Sequence, residues 1–438
     1  MLSNFQKYFK IVSCEIGPNY QFDDSFVALK GLFSGSKFEK QKQYCLDWFA
    51  DYFYLKDSNS LFFADNGRTC LTLILQNLNL PKNSQVLIQP LSCVVLPNSV
   101  WQAGYEPILV DTDTQNYNFD LADLEQKITP KTKVMIVQYS FGLTPDIQKV
   151  IEICQKYNLI LIEDCAHALG QTVLVSGREY KVGTIGQAAI FSFGRDKVVS
   201  TTRGGMCFVN ENPLTGKKLD LEIEKNLKKD HSTLPKMNSK DVQKSLIYTI
   251  LTTFLIRPLY GINLGKLILL LARKYNLIPQ IYTSSEKKGT NQITTASQYP
   301  NRLFPLLQNQ LKKFNKFQTH RQKLVQIYNQ ELKLDFPNTP LLRYALDISK
   351  LSDTKDTKTV WLKIQQNLKQ NGVMMGKWYT SLFAQEKMDY AGKFGWKKGD
   401  LPFAEKLFDQ NLFNLPTNIR TSAKDARRIA KIVLESVG

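Results

Sequence analysis

An apolar run, Leu159 to Ile162, ends on Glu163 and Asp164, and a second, Ala188 to Phe193, carries Ser192 near its end and leads through Gly194 to Lys197. Runs of this length bounded by polar residues read as buried parallel strands whose carboxyl ends open into a site. They deliver one carboxylate and one amine toward the same edge. Such a pair suits pyridoxal phosphate, which needs an amine for its Schiff base, an acid to keep its pyridinium nitrogen protonated, and ligands for its phosphate. Lys197 is the candidate amine and Asp164 the candidate acid. An amine held beside a cationic ring and partly desolvated loses its proton more readily, so it attacks a carbonyl near neutral pH. On the residues alone another reading stays open, in which Lys197 is a surface lysine after a strand and Asp164 caps a helix.

The pair sits within a series of motifs: DNGRTCLTLIL from Asp65, VLIQPLSC from Val86, YEPILVDTDTQNYNFD from Tyr105, QYSFG from Gln138, IEDCAHALG from Ile162, FSFGRDK from Phe191, then the paired glycines after Arg203. YPNRLFPLLQNQLKKF from Tyr299, WYTSLF from Trp378 and LPFAEKLFDQNLFNLPTNI from Leu401 complete it. The series resembles the DegT/StrS-type sugar aminotransferases, which are fold-type I pyridoxal phosphate enzymes, and it covers most of the chain from about Phe62 onward apart from an insertion. The resemblance implies that Gly67, Arg68 and Thr69 cradle the cofactor phosphate, that Ser192 adds a hydroxyl to it, and that His167 sits near the cofactor's phenolic oxygen. It implies that Asn301 reaches the phosphate of a neighbouring subunit, so that a homodimer shares its active sites. Read locally, Ser192, His167 and Asn301 also fit ordinary strand-end and helix-start roles.

The activity implied by the resemblance is transfer of an amino group from an amino acid, commonly glutamate, to a keto-sugar nucleotide in cell-surface polysaccharide biosynthesis. Dehydratases of the family carry histidine in place of the lysine, so Lys197 favours transamination. Two positions depart from the family pattern. Aligned from Pro90, the aromatic residue that stacks on the cofactor ring falls on Val94, which covers a ring only by dispersion contact. Arg203 stands before the paired glycines where many members carry an acid. These departures keep two alternatives open: a pyridoxal phosphate enzyme acting on a lipid-linked or non-sugar carbonyl, and a non-catalytic relative serving as a sensor or scaffold.

The elements that must position these residues are legible. Asn66 reads as an N-cap and Gly67 as the turn opening a helix, whose free N–H groups and positive dipole end suit a phosphate. The strand candidates VLIQP, YEPILVDTD and KVMIVQYSFG alternate with helices such as Asp146 to Asn158, which predicts a mostly parallel α/β sheet sandwiched by helices. The expected division is an N-terminal segment, residues 1–60, packing on a large domain, 61–211; an insertion, 212–297; an interdomain helix, 298–335; and a small α/β domain, 336–438. Leu303, Leu307, Leu311 and Phe314 carry the periodicity of the interdomain helix. Trp378 and Tyr379 are the small domain's candidates for facing the site.

At 438 residues, 43% apolar and 22% charged, the chain is long enough for two domains and an ample core. Seven cysteines, an odd number without paired spacing, fit a reducing compartment. MLSNFQKYFKIVSCEIG has no uninterrupted apolar run of the length a signal peptide needs, so secretion is not expected and a cytoplasmic location is. His167, His231 and His320 are too widely separated to predict a histidine metal site. The net charge of +18 draws polyanions, but no helix-turn-helix, zinc-finger or RNA-binding signature accompanies it, and nucleic acid is not expected.

The insertion turns lysine-rich and then apolar. Its first apolar run, Leu246 to Ile256, is eleven residues and is stopped by Arg257 and Pro258; its second is broken by Asn263 and Lys266. Neither reaches the ~20 residues of a spanning helix. Two readings stand for residues 244–278. One is an amphipathic helical pair lying on a membrane, with Lys244, Arg257, Lys266, Arg273 and Lys274 meeting anionic headgroups. The other is a helical hairpin buried against the main domain or a second subunit.

Overall fold

A computed structural model describes residues 11–35, 38–280, 282–289, 296–354, 356–384, 388–409 and 412–438. Residues 1–10, on which much of the expectation about secretion rests, lie outside these, as do 281 and 290–295 of the insertion and 410–411 of the last motif.

Among the described residues the main sheet has seven strands, in the spatial order Phe62–Ala64, Gly205–Val209, Ala188–Ser192, Ile160–Asp164, Thr132–Gln138, Gln85–Ile88 and Glu106–Leu109. Gly205–Val209 runs antiparallel to both its neighbours, and the five strands beyond it are mutually parallel. The inner strands read as almost continuously apolar because both faces of the sheet are covered. Val134, Ile136 and Ile162 pack into one core with the helix Gly67–Asn77, while Met135, Val137 and Leu161 pack into the other with the helices Glu39–Phe53 and Ile147–Lys156. This is the expected mostly parallel α/β sandwich.

The two-residue period of the strand separates the adjacent acids Glu163 and Asp164. Glu163 is buried and accepts from the Tyr139 hydroxyl at 2.7 Å and from the N–H groups of Gly183, Ile185 and Gly186 at 2.7–2.8 Å. It ties the loop before Ala188–Ser192 to the sheet. Asp164 points the other way, toward a cavity.

In the C-terminal unit, Arg343–Asp347 pairs antiparallel with Leu412–Pro416, and the helices Thr357–Gln370 and Ala423–Val437 share its core. Val12–Ser13 adds to it by pairing in parallel with Val373–Met374, and the Asn418 side chain donates to the Ser13 carbonyl at 3.0 Å. The N-terminal segment therefore divides, instead of packing wholly on the large domain. Its first strand satisfies backbone groups of the small unit, while Phe22–Phe33 and Glu39–Phe53 lie against Phe304–Lys312 of the large one. The interdomain helix is broken in two, Phe304–Lys312 and Phe314–Leu332, at Lys313.

The insertion is not a matched helical pair. Ser239–Leu251 buries Val242 and Leu246 against Phe22–Phe33, a π-type turn follows at Thr252–Ile256, and Leu264–Lys274 is a separate helix with exposed leucines. Arg257, expected at headgroups, is instead 6% exposed and donates to the carbonyls of Gly17 at 2.6 Å and Tyr20 at 2.9 Å. Lys244 bonds to Asp241 at 3.2 Å and turns toward the interior. No helix among the described residues is long and apolar enough to cross a membrane.

Candidate active site

At the carboxyl ends of the parallel strands lies a cavity of about 900 Å³, and Gly67, Arg68, Asp164, His167, Ser192 and Lys197 all line it. Trp378 and Tyr379 close it from the C-terminal unit. Ligands of open α/β sheets bind in this position because helix N-termini and strand-end loops converge there.

Asp164 is buried, and its oxygens accept from the Ala166 N–H and the Gln138 amide, each at 3.0 Å. Burial pushes its carboxyl up from the ordinary value, against the Ala166 N–H, the Lys197 amine and Gln138. Lys197 keeps some surface toward the cavity, yet desolvation there lowers its amine below the ordinary lysine range, against the fields of Cys93, Asp164 and Asp196. The amine and the carboxylate thus act on each other across one enclosed space.

The Phe141 N–H donates to Nδ1 of His167 at 3.2 Å, which assigns the remaining proton to Nε2. Burial, with the Lys197 and Arg343 charges, holds this imidazole well below its usual pKa, so it is a neutral donor. Trp378 stacks on it, centroids 5.0 Å apart and planes within 6°. The buried Arg343 guanidinium lies 3.4 Å from the Trp378 centroid, and Lys197 Nζ lies 5.3 Å from it.

The end of the cavity that the resemblance gives to the phosphate is built around the start of Gly67–Asn77. The Asn66 side chain accepts from the Thr69 N–H at 2.9 Å, closing the cap. Thr69, expected to touch the phosphate, is a correction: its hydroxyl donates to Asp65 at 2.7 Å, its N–H is used by the cap, and it does not line the cavity. The strand bearing the paired glycines passes so close that a Cβ on Gly205 would lie 2.5 Å from the Gly67 nitrogen. Ser192 Oγ accepts from the Gly194 N–H at 3.4 Å. The Arg68 side chain forms an ion pair with the buried Glu286 of the insertion. Arg203, the departure from the family pattern, lines the same cavity, lowered from its ordinary pKa by burial against the fields of Asp241 and Asp65. It adds a cation to this end.

Val94 is a second correction. It immediately precedes Val95–Gln102 and is fully buried among Leu96, Val100 and Ile88, away from the cavity. Cys93 faces the cavity in its place, its thiol donating to the Tyr282 hydroxyl at 3.4 Å, and Tyr282 lines the cavity too. On its own chain Asn301 lies outside the cavity, its amide donating to Glu39 at 3.2 Å, and the reach expected of it is toward a partner subunit.

The sequence reading also passed over Gln138, Arg343 and Asp196. Burial pushes the Asp196 carboxyl up to about 6, with Arg343 and Arg195 opposing, Glu15 assisting and Lys197 opposing. Its adjacency to Lys197 was the signal that could have found it. A buried amine and carboxylate in one cavity, beside a helix N-terminus, a strand-end hydroxyl and a buried arginine, form the donor set that pyridoxal phosphate requires. The residues present fit that group.

Comparison with known proteins agrees. GDP-perosamine synthase of Caulobacter vibrioides is 36% identical over 169 residues, 39% of this chain and 44% of that one. That of Escherichia coli O157:H7 is 31% identical over 199 residues, 45% of this chain and 50% of that one, so the chain spans about half the length of these curated relatives. Among solved structures, Helicobacter pylori PseC, an aminotransferase involved in the biosynthesis of pseudoaminic acid, superposes with a TM-score of 0.68 at 18% identity over 98% of this chain and 99% of that one. The profile of the DegT/DnrJ/EryC1/StrS aminotransferases matches residues 49–231 and 302–434, interrupted where the insertion lies. On that match the chain belongs to the DegT/DnrJ/EryC1/StrS aminotransferase family.

Proposed function

We propose that the protein is a pyridoxal phosphate-dependent aminotransferase that moves an amino group from an amino acid, glutamate being the expected donor, to a keto-sugar nucleotide used in cell-surface polysaccharide biosynthesis. The observation that carries this reading is the placement of Lys197 and Asp164 in one cavity, each shifting the other's proton equilibrium. The names of the relatives support the acceptor class.

When bound, pyridoxal phosphate supplies a carbonyl carbon that an amine can hold and a cationic ring that accepts electron density. Lys197, its amine depressed by desolvation, would hold that carbon and be freed when a donor amine takes its place. It then acts as general base on the donor's α-hydrogen, and the same amine returns a proton to the acceptor carbon. Asp164 keeps the ring nitrogen protonated, and a cation there offsets the cost of burying the carboxylate. His167 offers its Nε2 proton to the phenolic oxygen. The helix start at Gly67 and Arg68, Ser192 and Arg203 hold the phosphate. Cys93 and Tyr282 would cover the ring in place of Val94, and the Trp378 stack would exclude water. The same reading makes the active unit a homodimer in which Asn301 serves the partner's site.

The test is the donor half-reaction. Glutamate added to the cofactor-loaded protein is expected to yield 2-oxoglutarate in an amount equal to the loaded sites, without any acceptor. A protein that holds the cofactor yet forms no keto acid from glutamate or any other amino acid contradicts the proposal.

A further inference from the structure

The helix Leu264–Lys274 is turned inside out. Its inward side is made of small residues, Gly265 and Ala272, and it lies so close to the preceding turn that a Cβ on Gly265 would fall 2.0 Å from the Ile256 carbonyl oxygen. Four of its leucines point outward, Leu264, Leu267, Leu270 and Leu271 being 41–61% exposed, while Leu269 packs against Tyr20, Tyr248 and Ile278. Phe254 carries apolar surface on to the exposed Phe22 and Phe26, with ring centroids 5.6 and 6.0 Å apart. Apolar surface gathered in this way marks an interaction site.

Charge identifies the occupant. No aspartate or glutamate occurs in the sequence between Asp241 and Glu286. Lys266, Arg273 and Lys274 flank the leucines, and Asp23, at the foot of Phe22–Phe33, shares Lys313 with the buried Asp24, each at 2.8 Å. A second copy docking by a two-fold axis sets these cations against themselves, with no carboxylate on the helix to answer them. An anionic lipid surface answers both features, since leucines enter the acyl boundary and cations meet the headgroups.

We propose that Leu264–Lys274, with Phe22, Phe26 and Phe254, is an interfacial docking element that seats the protein on an anionic phospholipid bilayer. The same helix turns Leu269 and Arg273 into the cavity wall, so docking holds the rim of the active site beside the headgroups.

Flotation of the full-length, cofactor-loaded protein with vesicles of phosphatidylcholine, alone or mixed with phosphatidylglycerol, tests this. The protein is expected to float with the mixed vesicles, about tenfold less with phosphatidylcholine alone, and less as salt screens the headgroups. Leu267→Glu with Leu270→Glu is expected to abolish flotation at an unchanged thermal midpoint, and Lys266→Gln with Lys274→Gln to remove the preference for anionic lipid. A wild type that does not float overturns the proposal. So does a fall in the thermal midpoint of the glutamate variant, which would show the leucines packed inside the protein. A wild type that does not float, together with a glutamate variant that sediments as a smaller species, overturns it and assigns the face to a second copy.

Discussion

Lys197 is asked to be a base, and its surroundings already push it that way. Its folded-state pKa is depressed below the unfolded value, chiefly by burial. Below the folded pKa the native state carries a poorly solvated ammonium, and the full penalty applies. Between the folded and unfolded values the unfolded chain binds the extra proton, so stability climbs with pH across that window. In the cofactor-free protein, Lys197→Met is therefore expected to melt at a higher temperature than wild type at neutral pH, with the gap closing as pH enters the ordinary lysine range. Thermal midpoints measured against pH check this, and a gap independent of pH contradicts it. At this scale the sequence was informative where a strand aimed the side chain: Asp164 and Ser192 end apolar runs whose period settles direction, and Lys197 lies in the loop just beyond one. Cys93 and Val94 lie where a strand turns into a helix, and a rotation of one residue exchanges the inward and outward positions. Nothing in the alternation of apolar and polar residues fixes that rotation.

At the scale of elements, the anion-binding end depends on how closely Gly205–Val209 passes the start of Gly67–Asn77. A side chain at residue 205 would meet the backbone of Asn66 and Gly67 at 2.5 Å, and neither atom can rotate away. Gly205→Ala is thus expected to displace the helix start, to cost about 1–3 kcal/mol of stability as overpacking does, and to weaken cofactor affinity at least about tenfold, since that loss needs only about 1.4 kcal/mol. Equilibrium dialysis with pyridoxal phosphate reads the affinity, and an unchanged value removes the helix start from the phosphate site. That the sheet is mostly parallel followed from alternating strands and helices, because parallel neighbours need crossovers, whereas the number and order of its strands did not. The pairing of Val12–Ser13 with Val373–Met374 was not legible, because two-residue strands carry no periodicity and their partner lies at the opposite end of the chain.

At the scale of the whole molecule, one unit is built from both ends of the chain and closes a cavity formed by the other. Arg343 and Trp378 of the C-terminal unit stack toward His167 of the large sheet, so the site forms only when the two units are together. Composition showed that two such units were affordable but not which faces would meet. The insertion was the least legible region: its apolar spacing fits an inward-facing or an outward-facing helix equally, and only Gly265 and Ala272 on the packed side decide between them. What joins these scales is the proposed covalent grip on the cofactor by one amine. Borohydride reduction of the cofactor-loaded protein, followed by digestion and mass spectrometry, locates that amine directly. The adduct is expected on the peptide carrying Lys197 and on no other lysine. An adduct elsewhere, or none in a protein that has bound the cofactor, would contradict the account.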